Sequence, residues 1–183
     1  AQAIITVEHR DVRRPVSVVA RLPRTEFSTA EVWLHPNGRV AYLGAHGGGD
    51  RFWTIDISNP ARPVVVDSVV MNTRLVNDIM TSEDGRILVA TREGAADRKN
   101  GIVILSFEDP AHPKVIGDFT ETVSGGVHST YIYQGYVYLT DDATGGRLRL
   151  RSPDRSSVCR RTFLGATVCG CAIAGLAIRA RKT

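Results

Sequence analysis

Cysteine is missing from the first 158 residues of this 183-residue chain. The three that exist, Cys159, Cys169 and Cys171, crowd near the C-terminus in a C-x9-C-x-C spacing. That spacing matches neither zinc-knuckle nor thioredoxin-type patterns, and it implies no disulfide framework. A cysteine-free body is compatible with an oxidising compartment without demanding one. Aromatics are few, at 7%. No stretch ahead of the tail carries a helical apolar period comparable in strength to its strand-like patterning, which argues against an α-helical core. Acidic residues are all but absent from the end of the chain, where Asp154 stands alone after residue 146.

What is present fits a folded globular protein, with 43% apolar and 23% charged residues. The net charge of +4 is unevenly distributed. Residues 1–146 carry 14 Lys/Arg against 18 Asp/Glu, a balance of −4, whereas residues 147–183 carry 9 against one, a balance of +8. A mildly acidic body without interleaved basic and aromatic residues lacks the footprint that phosphate contacts require, so no nucleic-acid partner is expected. The chain opens Ala1-Gln2-Ala3 without an initiator Met, as would a mature secreted protein or a piece of a longer reading frame.

The body repeats with a period near 50 residues. Asp11-Val12-Arg13-Arg14-Pro15, Asn59-Pro60-Ala61-Arg62-Pro63 and Asp109-Pro110-Ala111-His112-Pro113 are successive versions of one turn, each followed by an apolar run. Between them lie Asn37-Gly38, Asp84-Gly85 and Gln134-Gly135, flanked by β-prone stretches such as Val40-Ala41-Tyr42-Leu43 and Ile87-Leu88-Val89-Ala90. Asn-Gly and Asp-Gly favour type I′ hairpin turns. A third strand, Phe52 to Ile57 or Gly101 to Leu105, runs into the double-proline turn, where proline ends the strand and starts an edge. Each unit therefore holds four antiparallel strands. The predicted fold is all-β, an incomplete β-propeller of about three four-stranded blades over residues 1–146, with a basic tail over 147–183 for which a helix is one reading. A plain β-sandwich is the alternative.

The run Trp53-Thr54-Ile55-Asp56-Ile57-Ser58-Asn59-Pro60-Ala61-Arg62-Pro63 resembles the signature of LVIVD-repeat β-propellers, in which such a strand and turn end each unit. Gly126 to Tyr131 and Thr140 to Gly145 resemble another stretch of that family, and the resemblance covers residues 11 to about 146. It implies a longer ring of six or seven blades in typical members, many of them secreted or attached to the bacterial surface. This chain departs from the pattern after Gly145. The third strand expected there is replaced by Arg147-Leu148-Arg149-Leu150-Arg151, the kind of break that a frame shift or fusion produces. Three blades alone leave two open blade faces, which pairing with copies of the chain would cover, although exposed apolar faces of that size are more often an aggregation hazard.

Aligning the units places Glu31, Asn77 with Asp78, and His128 at the start of each innermost strand, beside the central channel. These are the candidate ligand-binding residues. His46, in the loop Gly44 to Asp50, would join His128 if the site held a divalent metal, as a propeller resembling selenium-binding-type oxidases would. Two histidines without close spacing are a thin ligand set, and a polar residue at a strand start usually satisfies backbone groups. His35 and His112 flank prolines and read as surface residues. Gly47-Gly48-Gly49-Asp50 lacks the helix and lysine of a P-loop and reads as a hairpin tip. Asp141-Asp142 reads as a turn pair, since neighbouring strand residues point to opposite faces. Ser129 beside His128 is no dyad, and no nucleophile elbow is present, so no catalytic residue is assigned.

In the tail, Thr162 to Ile178 is an apolar Gly- and Ala-rich run between Arg160-Arg161 and Arg179 to Lys182. Its 17 residues lie at the lower limit of a membrane-spanning helix, and residues 160–182, with positive charge on both sides, are the stretch expected to contact a membrane. The twin arginines resemble an export signal but sit far from an N-terminus. Three functional expectations follow. The first is a non-enzymatic binding or scaffold propeller, secreted, periplasmic or at the cell surface, that takes a protein or carbohydrate. The second is a metal-dependent propeller enzyme using His46 and His128, and the third a truncated product without independent function.

Overall fold

The computed structural model describes residues 2–7, 10–22, 28–94, 100–121, 123, 125–133, 135–141, 161–163, 166–173 and 175–180. Strands β1 (Gln2–Val7) and β2 (Arg10–Ser17) pair as an antiparallel hairpin of their own. Sheet I follows as β3 (Ser28–Leu34), β4 (Val40–His46), β5 (Arg51–Asp56) and β6 (Val64–Val70), in that spatial order. Sheet II repeats the plan with β7 (Ile79–Thr81), β8 (Ile87–Arg92), β9 (Gly101–Ser106) and β10 (Lys114–Phe119). Sheet III begins with β11 (Val127–Tyr133) and β12 (Tyr136–Asp141). The first strands of the three sheets, β3, β7 and β11, are spatial neighbours, so the sheets fan out from one side. The described residues contain no helix, and the sheets do not close into a ring.

The repeated turns have identical local chemistry. In both double-proline turns an Asn or Asp side chain accepts the N–H two residues on, Ala61 to Asn59 Oδ1 at 3.1 Å and Ala111 to Asp109 Oδ1 at 2.9 Å. The same residues' carbonyls accept the N–H of Arg62 and His112. This is the local bonding that makes Asn and Asp turn formers. The hairpins differ from the expected two-residue type I′ turn. Leu34 pairs with Ala41 and Thr81 with Leu88, His35 and Ser82 donate to Val40 and Ile87, and each hairpin therefore encloses a four-residue loop. Only Gly38 (φ +70) and Gly85 (φ +66) are left-handed within them. Pro36 at the second turn position fits this right-handed turn better than type I′, which needs positive φ there. The third hairpin is tighter, because Tyr133 pairs with Tyr136.

Two apolar cores separate the sheets. Tyr42 and Phe52 of sheet I meet Ile79, Leu88 and Leu105 of sheet II, together with Val76 from the segment that leads into β7. Met80, Val89 and Ile102 on the other side of sheet II meet Val127, Ile132, Val137 and Leu139 of sheet III. Both sides of sheet II are thus buried, which explains the near-continuous apolar run in β8 and β9. Polar ties cross the first core: Trp33 Nε1 donates to Thr81 Oγ1 at 2.8 Å and the Tyr42 hydroxyl to the Pro110 carbonyl at 2.9 Å. His35, expected at the surface, is buried instead. Its Nε2 lies 3.0 Å from the Gly85 carbonyl oxygen, and its ring stands edge-on to Phe107. His112 is exposed as expected, and pairs with Asp67 of sheet I at 2.9 Å.

The tail is not helical where it is described. It forms β13 (Arg161–Phe163), β14 (Ala166–Ile173) and β15 (Gly175–Ala180), and β15 pairs with β12 through Tyr136↔Arg179 and Val137↔Ile178. Sheet III then runs β11-β12-β15-β14-β13. The outer edge of β12 offers a row of backbone donors and acceptors, and a glycine-rich, β-branched segment satisfies them more readily as a strand than as a helix. Among the described residues no helix is long and apolar enough to cross a membrane.

Candidate functional site

Asn77, Asp78 and His128 lie where inner strands begin, Glu31 lies in the middle of β3 and His46 at the end of β4, and the structure joins them in unequal ways. Glu31, exposed on β3, donates its N–H to the Asn77 carbonyl at 3.1 Å, stitching sheet I to sheet II. Asp78 is engaged structurally. Its Oδ2 accepts the Thr130 N–H at 2.7 Å, its own N–H donates to Thr91 Oγ1, and its carbonyl accepts the Thr91 N–H. The carboxylate therefore fastens sheet II to sheet III.

Asn77 and His128 do come together, around a residue that sequence reasoning missed. The Asn77 amide donates to Glu93 Oε2 and lies 3.1 Å from His128 Nδ1, which is itself 3.2 Å from Glu93 Oε2. His128 Nδ1 serves one role at a time. Carrying a proton it donates to Glu93; without one it accepts from Asn77. Asn77 is buried, Glu93 retains 23% of its side-chain exposure and His128 60%, so the cluster opens to solvent through the imidazole. Glu93 is held by a backbone bridge to Leu75, whose N–H donates to the Glu93 carbonyl at 3.1 Å, and by the Thr73 hydroxyl at 2.7 Å. Gly126 permits the approach: its φ is +107, and a Cβ there would lie 2.8 Å from Glu93 Cγ.

Glu93 was legible in principle. With Gly38 aligned on Gly85, His46 falls on Glu93, so the second unit carries a carboxylate where the first carries an imidazole. His46 itself ends β4, exposed and opposite Ser28, and among the described residues no hydrogen bond ties it to His128. No group of three or more His, Cys, Asp or Glu able to hold a metal occurs among the described residues. The glycine loop before β5 is pinned by the Gly48 N–H to the Arg74 carbonyl at 3.1 Å. Asp141 ends β12 opposite Val127, and Asp142 lies outside the described residues.

A four-stranded antiparallel unit repeated along the chain, with inner strands side by side, is the structural class these observations define. Within it, residues 41–71 match the LVIVD repeat family, the repeat the sequence resembles. No curated protein matches the chain. Among solved structures, a candidate 6-phosphogluconolactonase from Bacteroides uniformis ATCC 8492 superposes with a TM-score of 0.56 at 15% identity, over 76% of this chain and 40% of that one. A second, from Bacteroides fragilis NCTC 9343, gives 0.51 at 16%, over 61% and 31%. A protein of unknown function from Desulfotomaculum acetoxidans DSM 771 gives 0.51 at 14%, over 73% and 41%. At these identities the likeness concerns the fold alone, and this chain spans less than half the length of each.

Proposed function

We propose that this chain is a non-enzymatic binding module, an arc of LVIVD-type propeller blades whose ligand docks where the inner strands begin. The observation that carries this reading is the Asn77–Glu93–His128 cluster. It places a buried amide, a half-shielded carboxylate and an exposed imidazole on one polar patch that spans two blades. Such a patch donates and accepts hydrogen bonds at once, which suits hydroxyl-rich carbohydrate or the backbone and side chains of a peptide. The reading needs neither a nucleophile nor a metal. A secreted or surface location accords with the cysteine-free body, and a complete ring of more blades accords with the greater length of the similar structures.

The test is a screen of the full chain on a glycan array and on a displayed peptide library, repeated with His128→Ala, Glu93→Gln and, as an exposed control, His112→Ala. Ligands held by wild type should lose at least about tenfold in affinity on removal of His128 or of the Glu93 charge, the scale of one charge-assisted hydrogen bond, and be kept by His112→Ala. Binding indifferent to both site changes would refute the assignment.

A further inference from the structure

The strand registers give each blade a polarity. On sheet II, one face of β7 and β8 carries the cross-strand pairs Ile79↔Ala90 and Thr81↔Leu88 and packs toward sheet I; the other carries Met80↔Val89 and packs toward sheet III. The pair of sheet I equivalent to Met80↔Val89 is Trp33↔Tyr42, and it too faces the next sheet. In sheet III the shorter hairpin makes the equivalent pair Tyr131↔Tyr138. The opposite faces match as well: Thr130↔Leu139 and Ile132↔Val137 of sheet III pack back on sheet II, and their counterparts in sheet I are Val32↔Leu43 and Leu34↔Ala41. A leading face meets a trailing face twice within the chain.

Among the described residues one of each is left over. The trailing face of sheet I exposes Val32 at 55% and Leu34 at 59%, and the leading face of sheet III exposes Tyr131 at 59% and Tyr138 at 45%. We propose that the tyrosine face of the third blade seats on the Val32–Leu34 face of the first blade in a second copy of this chain, and that the reciprocal contact closes a ring of two copies. This rests on the blade reading but not on the ligand site, which the array screen tests separately. The interface continues one already present twice. In the first, aromatic side chains on the leading face cover aliphatic ones on the trailing face, as Trp33 and Tyr42 cover Ile79 and Leu88; in the second, Met80 and Val89 take the aromatic places. The polar tie carries over too. Tyr138 occupies the place of Tyr42, whose hydroxyl donates to the Pro110 carbonyl, and Pro60 stands 50 residues before Pro110 in the first blade. The Tyr138 hydroxyl thus points to the Pro60 carbonyl of the second copy. The contact is head-to-tail, and the three described blades of each of two copies make six, within the range in which propellers close.

Sedimentation equilibrium of the full chain should return twice the chain mass. Leu34→Glu and the double change Tyr131→Glu/Tyr138→Glu should each be monomeric with an unaltered β-type circular dichroism spectrum. Mixed, they should associate one to one, because each keeps the face the other has lost. Tyr138→Phe, which removes only the hydroxyl, should weaken the wild-type association roughly fivefold per contact. A monomeric wild type would overturn the proposal and leave the tyrosine face to a blade from another polypeptide. So would a mixture that fails to associate, or an open series of ever larger species.

Discussion

Gly85→Ala is the sharpest probe of how the blades are held together, because the chain contains its own control. Gly38 and Gly85 occupy the same place in the hairpins of consecutive blades, with φ of +70 and +66. A Cβ at Gly38 meets nothing within 4 Å, whereas one at Gly85 would lie 2.7 Å from His35 Nε2 and 2.9 Å from Cε1. Alanine should therefore cost about 1–2 kcal/mol at either site for the left-handed backbone. At Gly85 it should cost about 1–3 kcal/mol more, since His35 is buried and must give up its contact with the Gly85 carbonyl. Urea unfolding followed by the fluorescence of Trp33 and Trp53 would measure the midpoint, with the slope expected to stay constant. Placing Gly85→Ala in a His35→Ala background should remove most of the excess, as a double-mutant cycle requires of a direct contact. If Gly38→Ala and Gly85→Ala prove equally destabilising, the His35 plug contributes nothing to the blade interface and the reasoning fails.

Two further outcomes follow from the same interfaces. Burial, and secondarily the nearby Asp109 carboxylate, pushes the Tyr42 phenol up above its ordinary range. Its neutral form is therefore favoured in the folded state, and stability should decline as pH rises past about 10, where the unfolded phenol ionises. Tyr42→Phe should cost about 1 kcal/mol at neutral pH and flatten that alkaline decline, which unfolding midpoints across the alkaline range would record. The Ser58 backbone N–H, and next its side chain, hold the Asp56 carboxyl below its ordinary range. A lowered folded value gives stability that is present above the unfolded value and lost as pH falls through the folded one. Asp56→Asn should therefore reduce the acid-induced loss of stability, and an unchanged acid limb in a pH series would count against it.

The strands and their grouping into units were readable because proline and glycine act locally. A double-proline turn ends a strand whatever packs on it, and two such turns 50 residues apart define the repeat, whereas Asp11 to Pro15, read from the sequence as a third version of the turn, lies within β2 and pairs with β1. The site was half readable. Asn77 and His128 share a place in the repeat, yet nothing in their spacing revealed that Glu93 completes them, because Glu93 arrives from the second strand and is admitted only where Gly126 leaves room. Asp78 looked equivalent to its neighbour, but its carboxylate accepts from the Thr130 backbone, whereas the Asn77 amide reaches the Glu93 and His128 side chains. His35 looked like a surface residue beside a proline. It is buried because the following blade, 50 residues away, brings Gly85 and Phe107 over it.

Alternation, turn chemistry and period, all properties of neighbouring residues, determined from the sequence alone that this protein is built of four-stranded antiparallel units. Which residues face which unit was decided only in three dimensions. A hairpin two residues shorter in the third unit shifts the pairing of β11 and β12, putting tyrosines where the first unit puts Trp33 and Tyr42. The tail's strand character was likewise decided by tertiary context, because the open edge of β12 supplied hydrogen-bonding partners that the tail's own composition could not announce.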